Sequence, residues 1–574
     1  FFVVQCQSDV VMVPRPHLKE LPSVAKHDQR LASELTTELE ATLLRGVPLH
    51  LCLSGWAQHW DLSNTEAADD APYTLSRQTQ HFDAFLSHDW GTSRWLKLLA
   101  MLMVFNSRAA AISTTLVSVL SPLLATFAFG ITESLGPMLF SFLTFWVILC
   151  FWQRIRQCFR RPLIVFMDKL CISQKDEQLK ERGILGLASF LDRSECLTIL
   201  WSSRYFSRIW CTFEVAAFLR NEQKRHIRII PVSFAKLVFL LSLYAHVGAF
   251  AYYTFSIRED VWTWLAGTTG MIDDWWVKVT VLSSSFSCLA SVLGPLIFYI
   301  GINLMKDIDS LRQQLSSFNI KRCKCYCCSV SHQDPVTKMR IPCDREVIFA
   351  TLEEWYGGPK DPEAGGESSS RSSASASPNS FVGPFNKLVR DHLAGIVRET
   401  LEDISGQLRY GMCMVVVILM PLFPCCLMQN WMYLQDWSNS TLLIFFLRNL
   451  LNWAKLPLWA MLAFWAAIRN CELGLYLCQR KMKYMNQIVV SCLMTILTLI
   501  LLGFACIPFE IVFFVTRDEQ SLFFPLIPFM VIVVIDLCIF VPALRCKWLS
   551  HLSPERPLRA PYPGCRSTDE LPSI

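Results

Sequence analysis

Apolar residues in this chain come in runs of two lengths, and the difference divides the molecule. The long runs reach about 20 residues, enough for a helix to cross the hydrocarbon core of a bilayer. Eight predicted spans lie at 109–130, 136–153, 235–255, 280–303, 411–430, 446–467, 487–513 and 521–541. The first two form a hairpin joined by Ile131-Thr-Glu-Ser134, and Arg448 and Lys455 interrupt the sixth. The short runs predict strands at 82–87, 163–167, 197–201 and 227–232, with helices at 93–105, 177–192 and 207–222. Alternating strands and helices with apolar strand cores predict a parallel, doubly wound sheet. The sheet domain is therefore expected in two pieces, 81–106 and 154–234, around an inserted transmembrane hairpin at 107–153. A hairpin leaves and returns on one membrane face, so its ends lie close together like those of a surface loop.

The remaining boundaries follow from composition. Residues 1–80 have no clear pattern beyond a short helix expected at 29–45. The third and fourth spans occupy 235–304. A cysteine-containing segment at 305–368 carries expected helices at 306–318 and 343–356. The stretch 369–383 is too rich in Gly, Ser and Ala to bury a core and is expected to be a flexible linker. An amphipathic helix is expected in 384–410, four spans in 411–542 and a tail in 543–574. The expected fold class is an α/β sheet domain attached to an α-helical bundle of about eight spans.

Composition agrees with a multi-pass membrane protein. Of 574 residues, 52% are hydrophobic and only 18% charged, against about 25% charged in soluble domains. The net charge of +5 is modest and gives no reason to expect a nucleic-acid partner; the expected partner is the lipid bilayer. Lys and Arg report sidedness instead. Arg154, Arg156, Arg160 and Arg161 follow the second span, Lys306, Arg312, Lys321, Arg322 and Lys324 the fourth, and Arg480, Lys481 and Lys483 the sixth. The opposite loops are poor in cations. Both termini and the sheet domain are thus expected to face the cytosol, with the Asn439-Ser-Thr441 sequon outside. The 23 cysteines read as small hydrophobes rather than as a disulfide framework. The chain begins with Phe1, so a preceding leader is neither indicated nor excluded.

Three boxes carry more than pattern: His81-Phe-Asp-Ala-Phe-Leu-Ser-His-Asp-Trp-Gly91, Leu163-Ile-Val-Phe-Met-Asp-Lys-Leu-Cys171, and Cys196 to Leu219 with Trp210-Cys-Thr-Phe-Glu214. Together they resemble a Toll/interleukin-1 receptor (TIR) domain over about 81–93 and 160–234. Leu170-Cys-Ile-Ser-Gln-Lys-Asp176 departs from the usual TIR turn and is similar to the box of heterokaryon-incompatibility domains. The resemblance implies a flavodoxin-like parallel sheet, signalling of the innate-immunity type and self-association into homo-oligomers. In the enzymatic branch it also implies cleavage of the nicotinamide–ribose bond of NAD, with NAD as substrate and no required cofactor. A glutamate four residues after a tryptophan is that branch's signature, so the resemblance makes Glu214 the catalytic residue. Losing nicotinamide leaves an oxocarbenium-like ribose, which a fixed carboxylate stabilises. Ligands of open α/β sheets sit beyond the carboxyl ends of the strands, which places Ser87, His88, Asp89, Trp90 and Asp168 as substrate-binding residues, and the resemblance implies the same for Trp210. The plainer readings are an exposed helix residue for Glu214, core for Trp210 and a capping role for Asp168.

Two further features remain open. Cys325 and Cys328 have Cys-x-x-Cys spacing, and with His332 and Cys343 they make a set for tetrahedral zinc. S-palmitoylation beside a span, or no modification, are the rivals. Lys455, Glu510 and Asp536 lie inside spans, where charges need partners or water. They fit structural pairing, or an ion channel or transporter with a regulatory TIR-like domain. A non-enzymatic TIR scaffold is the other alternative. No Walker A, His-Glu-x-x-His, Gly-x-Ser-x-Gly or Gly-x-Gly-x-x-Gly pattern is present, which speaks against kinase, zinc-protease and ordinary hydrolase chemistry.

Overall fold

A computed structural model of the chain describes residues 39–61, 71–131, 133–220, 226–256, 275–333, 338–357, 379–397, 420–425, 427–428, 439–481, 486–515 and 523–540. Most of the expected helix at 29–45, most of the linker, much of the fifth span and the tail lie outside them, while Val382–Leu388, at the end of the expected linker, is helical. The described chain is mostly helical, with one small mixed sheet.

The sheet contains β1 (Arg45–Pro48), β2 (Arg77–Gln78), β3 (Ala84–His88), β4 (Ile164–Phe166), β5 (Cys196–Trp201) and β6 (His226–Pro231), in the spatial order β2-β1-β4-β3-β5-β6. The four strands expected from the short apolar runs pair in parallel, β3 with β4 on one side and β5 on the other, and β5 with β6. Phe85 is opposite both Phe166 and Leu197. The segments flanking the hairpin are thus neighbours in one layer. All residues of β3 and β5 are buried, as central parallel strands covered on both faces should be. Phe85 stacks on Phe166 with ring centres 4.5 Å apart, and Phe166 meets Phe190 at 4.4 Å. Asp83 clamps the returning chain: its Oδ2 accepts the Ile164 N–H at 2.6 Å and its own N–H donates to the Ile164 carbonyl at 2.8 Å.

Three expectations need correction. The sheet is mixed rather than all parallel, because β1 from the unassigned N-terminal region runs antiparallel along β4 and pairs with β2. Gly46 makes that edge fit: a Cβ there would lie 2.5 Å from Ile164 Cγ2. The helix expected at 93–105 does not end before the first span. Nothing in Phe105-Asn-Ser-Arg108 breaks a helix, and α1 runs unbroken over Arg94–Phe129. The helix expected at 177–192 divides at Gly186 into α3 (Glu177–Leu185) and α4 (Leu187–Asp192), with the Asp176 carboxylate capping the start of α3 at 2.9 and 3.0 Å.

α1 and α2 (Leu135–Arg156) form the inserted hairpin, turned at Gly130 with φ +63°. Asn106, Ala110, Thr114, Ser118 and Pro122 are buried at four-residue spacing on α1, and small residues let helix backbones approach closely. Asn106 Nδ2 donates to the Leu149 carbonyl at 2.8 Å and Oδ1 accepts from Gln153 Nε2 at 2.8 Å. The outer faces expose Leu116, Leu120, Leu124 and Phe127 on one helix and Phe140 and Leu143 on the other. Exposed apolar faces of this extent suit lipid.

Among the described residues, three helices are long and apolar enough to cross a membrane: Arg94–Phe129, Leu135–Arg156 and Ser291–Ser316. Shorter apolar stretches lie at Val232–Gly248, Gln487–Leu502 and Phe524–Ile539. Near the carboxyl end, α7 (Trp275–Ser316), α9 (Asn439–Tyr476) and α10 (Gln487–Val515) pack together. Glycines set their approach. A Cβ at Gly301 would lie 2.5 Å from Cys471 Sγ, and one at Gly474 would lie 2.7 Å from Ile302 Cδ1.

The elements around the sheet also include α5 (Ile209–Arg220), α6 (Val232–Ser256), which follows β6 directly, and α8 (Asp344–Tyr356). The cysteine-containing segment packs on the sheet domain and shares its core through Leu311, Leu315, Ile320, Cys323, Ile348 and Leu352.

Candidate active site

Strand order reverses between β3 and β5, whose connections leave toward opposite sides of the sheet. A crevice at the carboxyl ends of such strands is the usual ligand position of open α/β sheets. Ser87 and His88 end β3, and β5 ends at Trp201 before the turn that carries Arg204, Tyr205 and Arg208 into α5.

Glu214 sits here. Its Oε2 accepts a hydrogen bond from Ser87 Oγ, which also meets the Tyr205 hydroxyl. Ser87 and Tyr205 are fully buried, and Glu214 keeps partial exposure. Burial pushes the Glu214 carboxyl up to about 8; the Ser87 hydroxyl opposes this, the Asp168 carboxyl adds to it and Arg208 lowers it. Burial also raises Asp168, against the stabilising Lys169 N–H and the Trp90 indole, whose Nε1 donates to its Oδ2 at 2.9 Å.

Asp89 organises the cationic side. It is buried at 3% exposure. Arg204 reaches its Oδ2 at 3.0 Å and Arg208 its Oδ1 at 3.1 Å, while Ser202 Oγ donates to Oδ2 at 3.3 Å. Burial alone would raise this carboxyl, but the two guanidinium groups hold it below its ordinary value. Gly91 leaves room for the arrangement, since a Cβ there would run into the Arg204 guanidinium. Arg204 remains half exposed, so an anion at the rim could engage it.

Lys97, in the first turn of α1, is fully buried, and its Nζ has no hydrogen-bond partner. It faces the rings of Trp60 at 5.6 Å and Trp90 at 5.0 Å, a cation–π setting. His88 is wedged between the same two rings, at 4.7 and 4.6 Å. Burial, then Lys97 and Arg208, drive its pKa far down. His88 is therefore a neutral, packed ring.

The structure brings Ser87, Asp89, Trp90, Asp168 and Glu214 to one end of the sheet around Lys97 and Arg208. Trp210 departs from the group: its Nε1 donates to Asp344 Oδ2 at 3.0 Å, tying α5 to α8. Tyr205, Arg204, Arg208 and Lys97 were not among the expected binding residues. The four-residue spacing of Arg204 and Arg208 before α5 was the available signal for the arginines; Lys97 gave none, because a lysine in a first helical turn reads as surface.

The expected zinc set also changes. Cys327, Cys328, His332 and Cys343 gather their ligand atoms, and Cys327 takes the place expected for Cys325. Cys325 groups instead with Cys327 and Asp344.

No protein-family model, no curated protein and no solved structure matches this chain.

Proposed function

We propose that this chain is a multi-pass membrane signalling protein whose sheet domain is a TIR-like module that self-associates and cleaves NAD at the nicotinamide–ribose bond. The parallel strands β4-β3-β5-β6 follow, in chain order, the 2-1-3-4 arrangement of flavodoxin-like sheets, which favours that fold. The three apolar helices favour membrane attachment, and the Lys and Arg pattern favours a cytosolic sheet domain. The single observation that carries the enzymatic reading is the carboxyl of Glu214, held by Ser87 at the reversal point of the sheet.

In the reaction, the bond between ribose C1′ and the nicotinamide nitrogen breaks, and its electron pair leaves with nicotinamide. Water then adds to C1′ and a proton is released, giving ADP-ribose. Ionised Glu214 stabilises the cationic ribose. A carboxyl that ionises near pH 8 is well matched to a cationic substrate, because the nicotinamide charge favours its ionised form. Arg204 and Arg208, set by Asp89, suit the pyrophosphate.

The test is nicotinamide release by the full chain in detergent micelles or liposomes. Glu214→Gln is expected to cut the rate by at least about 100-fold, with the fold intact. No release by the wild type, even when clustered, would leave Ser87, Tyr205 and Glu214 as a structural network in a binding scaffold.

A further inference from the structure

We propose that Cys327, Cys328, His332 and Cys343 bind a zinc ion, and that this ion fixes the segment that holds Trp210 in place. The four ligand atoms lie within 4.8 Å of one another. A tetrahedral site with Zn–S bonds of about 2.3 Å has sulfur–sulfur edges of about 3.8 Å. Cys328 Sγ and Cys343 Sγ are 3.8 Å apart.

The backbone folds around this point. Ser331 and His332 both adopt left-handed conformations, with φ of 54° and 58°. Gln333, the next residue, forms an antiparallel bridge with Arg340. The His332 N–H donates to the Cys327 carbonyl at 2.7 Å, and its own carbonyl accepts from Ile341 at 2.9 Å. The Asp344 N–H donates to Cys327 Sγ at 3.3 Å. An amide directed at a sulfur is a typical outer support of a metal thiolate. Cys325 Sγ lies 2.9 Å from Cys327 Sγ, placed to support that ligand rather than to serve as one. Three thiolates and one imidazole select zinc over calcium or magnesium, which take oxygen.

The site has a mechanical consequence. Cys343 is followed directly by Asp344, whose carboxylate accepts from Trp210 Nε1 at 3.0 Å. Arg345 reaches the carbonyls of Lys321 at 2.9 Å and Cys323 at 2.6 Å. The ion therefore fixes the start of α8 against α5, one helical turn from Glu214. Metal binding is independent of whether Glu214 cleaves NAD.

The full chain, purified under reducing conditions without chelator, is expected to carry about one zinc per chain by elemental analysis. Cys327→Ser and Cys343→Ser each lose it, while Cys325→Ser retains it with affinity lowered about tenfold. Should the serine variants fail to fold, the wild type still decides: cobalt exchanged into it is expected to show thiolate-to-cobalt charge-transfer bands and tetrahedral d–d absorption. A metal-free wild type after zinc exposure, zinc retained by Cys343→Ser, or a cobalt spectrum without thiolate bands would each overturn the assignment.

Discussion

Replacing Glu214 by Gln should stabilise the folded protein, and by an amount that depends on pH. The folded carboxyl ionises near 8 against an ordinary value of 4.5. Between these values the folded state holds a proton that the unfolded state has released. The favourable contribution is complete below about pH 4.5 and is lost as pH rises through about 8. At pH 7 the gap spans about 2.5 pH units at about 1.4 kcal/mol each, a penalty of roughly 3 kcal/mol. Partial exposure of the side chain makes this a ceiling. Gln carries no charge and still accepts from Ser87 Oγ, so it removes the penalty and keeps the contact. In thermal unfolding of the detergent-solubilised chain, the variant should match the wild type near pH 4.5. By pH 7 it should exceed it by up to about 3 °C for a 574-residue chain. A difference that does not change with pH, or a Gln variant less stable at pH 8, would refute the reasoning, because either means that Glu214 is not held against ionisation.

The remaining predictions use the same assay unless stated. Asp89→Ala strands the partly buried Arg208 and should cost about 3 kcal/mol, whereas Arg204→Ala, at a half-exposed position, should cost less than about 1 kcal/mol. Tyr205→Phe removes one hydroxyl from Ser87 and should cost about 1 kcal/mol. Gly474→Val drives a side chain into Ile302 and should lower stability by about 1–3 kcal/mol; in tryptophan-quenching or proteolysis measurements, the loosening should be confined to the carboxyl-terminal bundle.

The sheet was readable wherever strands were long and continuously apolar. Leu197 to Trp201 and Ala84 to Leu86 announce themselves because central parallel strands bury both faces. β1 did not, since Arg45-Gly-Val-Pro48 is short, opens on a charge and ends on proline, and its place depends on the partner strand β4. β2 has two residues and carries no signal at all. The junction of helix and span at 105–109 was unreadable because polar Asn106 looks like surface until Leu149 is seen accepting its side-chain N–H. At the site, Glu214 and Ser87 came from local motifs. The cations did not, because Lys97 and Arg208 acquire meaning only from the rings and carboxylates that the fold brings to them. Cysteine spacing pointed to this segment, but it could not tell Cys325 from Cys327, because the grouping of their sulfurs with Cys328, His332 and Cys343 depends on how the chain folds back.

The pH dependence of nicotinamide release bears most directly on the proposed chemistry, because kcat/KM follows the ionisation of the free protein. The wild type should gain activity as pH rises toward a midpoint near the Glu214 value of about 8, and Glu214→Gln should show neither the activity nor the rise. Release that is unchanged in the Gln variant, or flat in pH for the wild type, would contradict a catalytic carboxylate at this position.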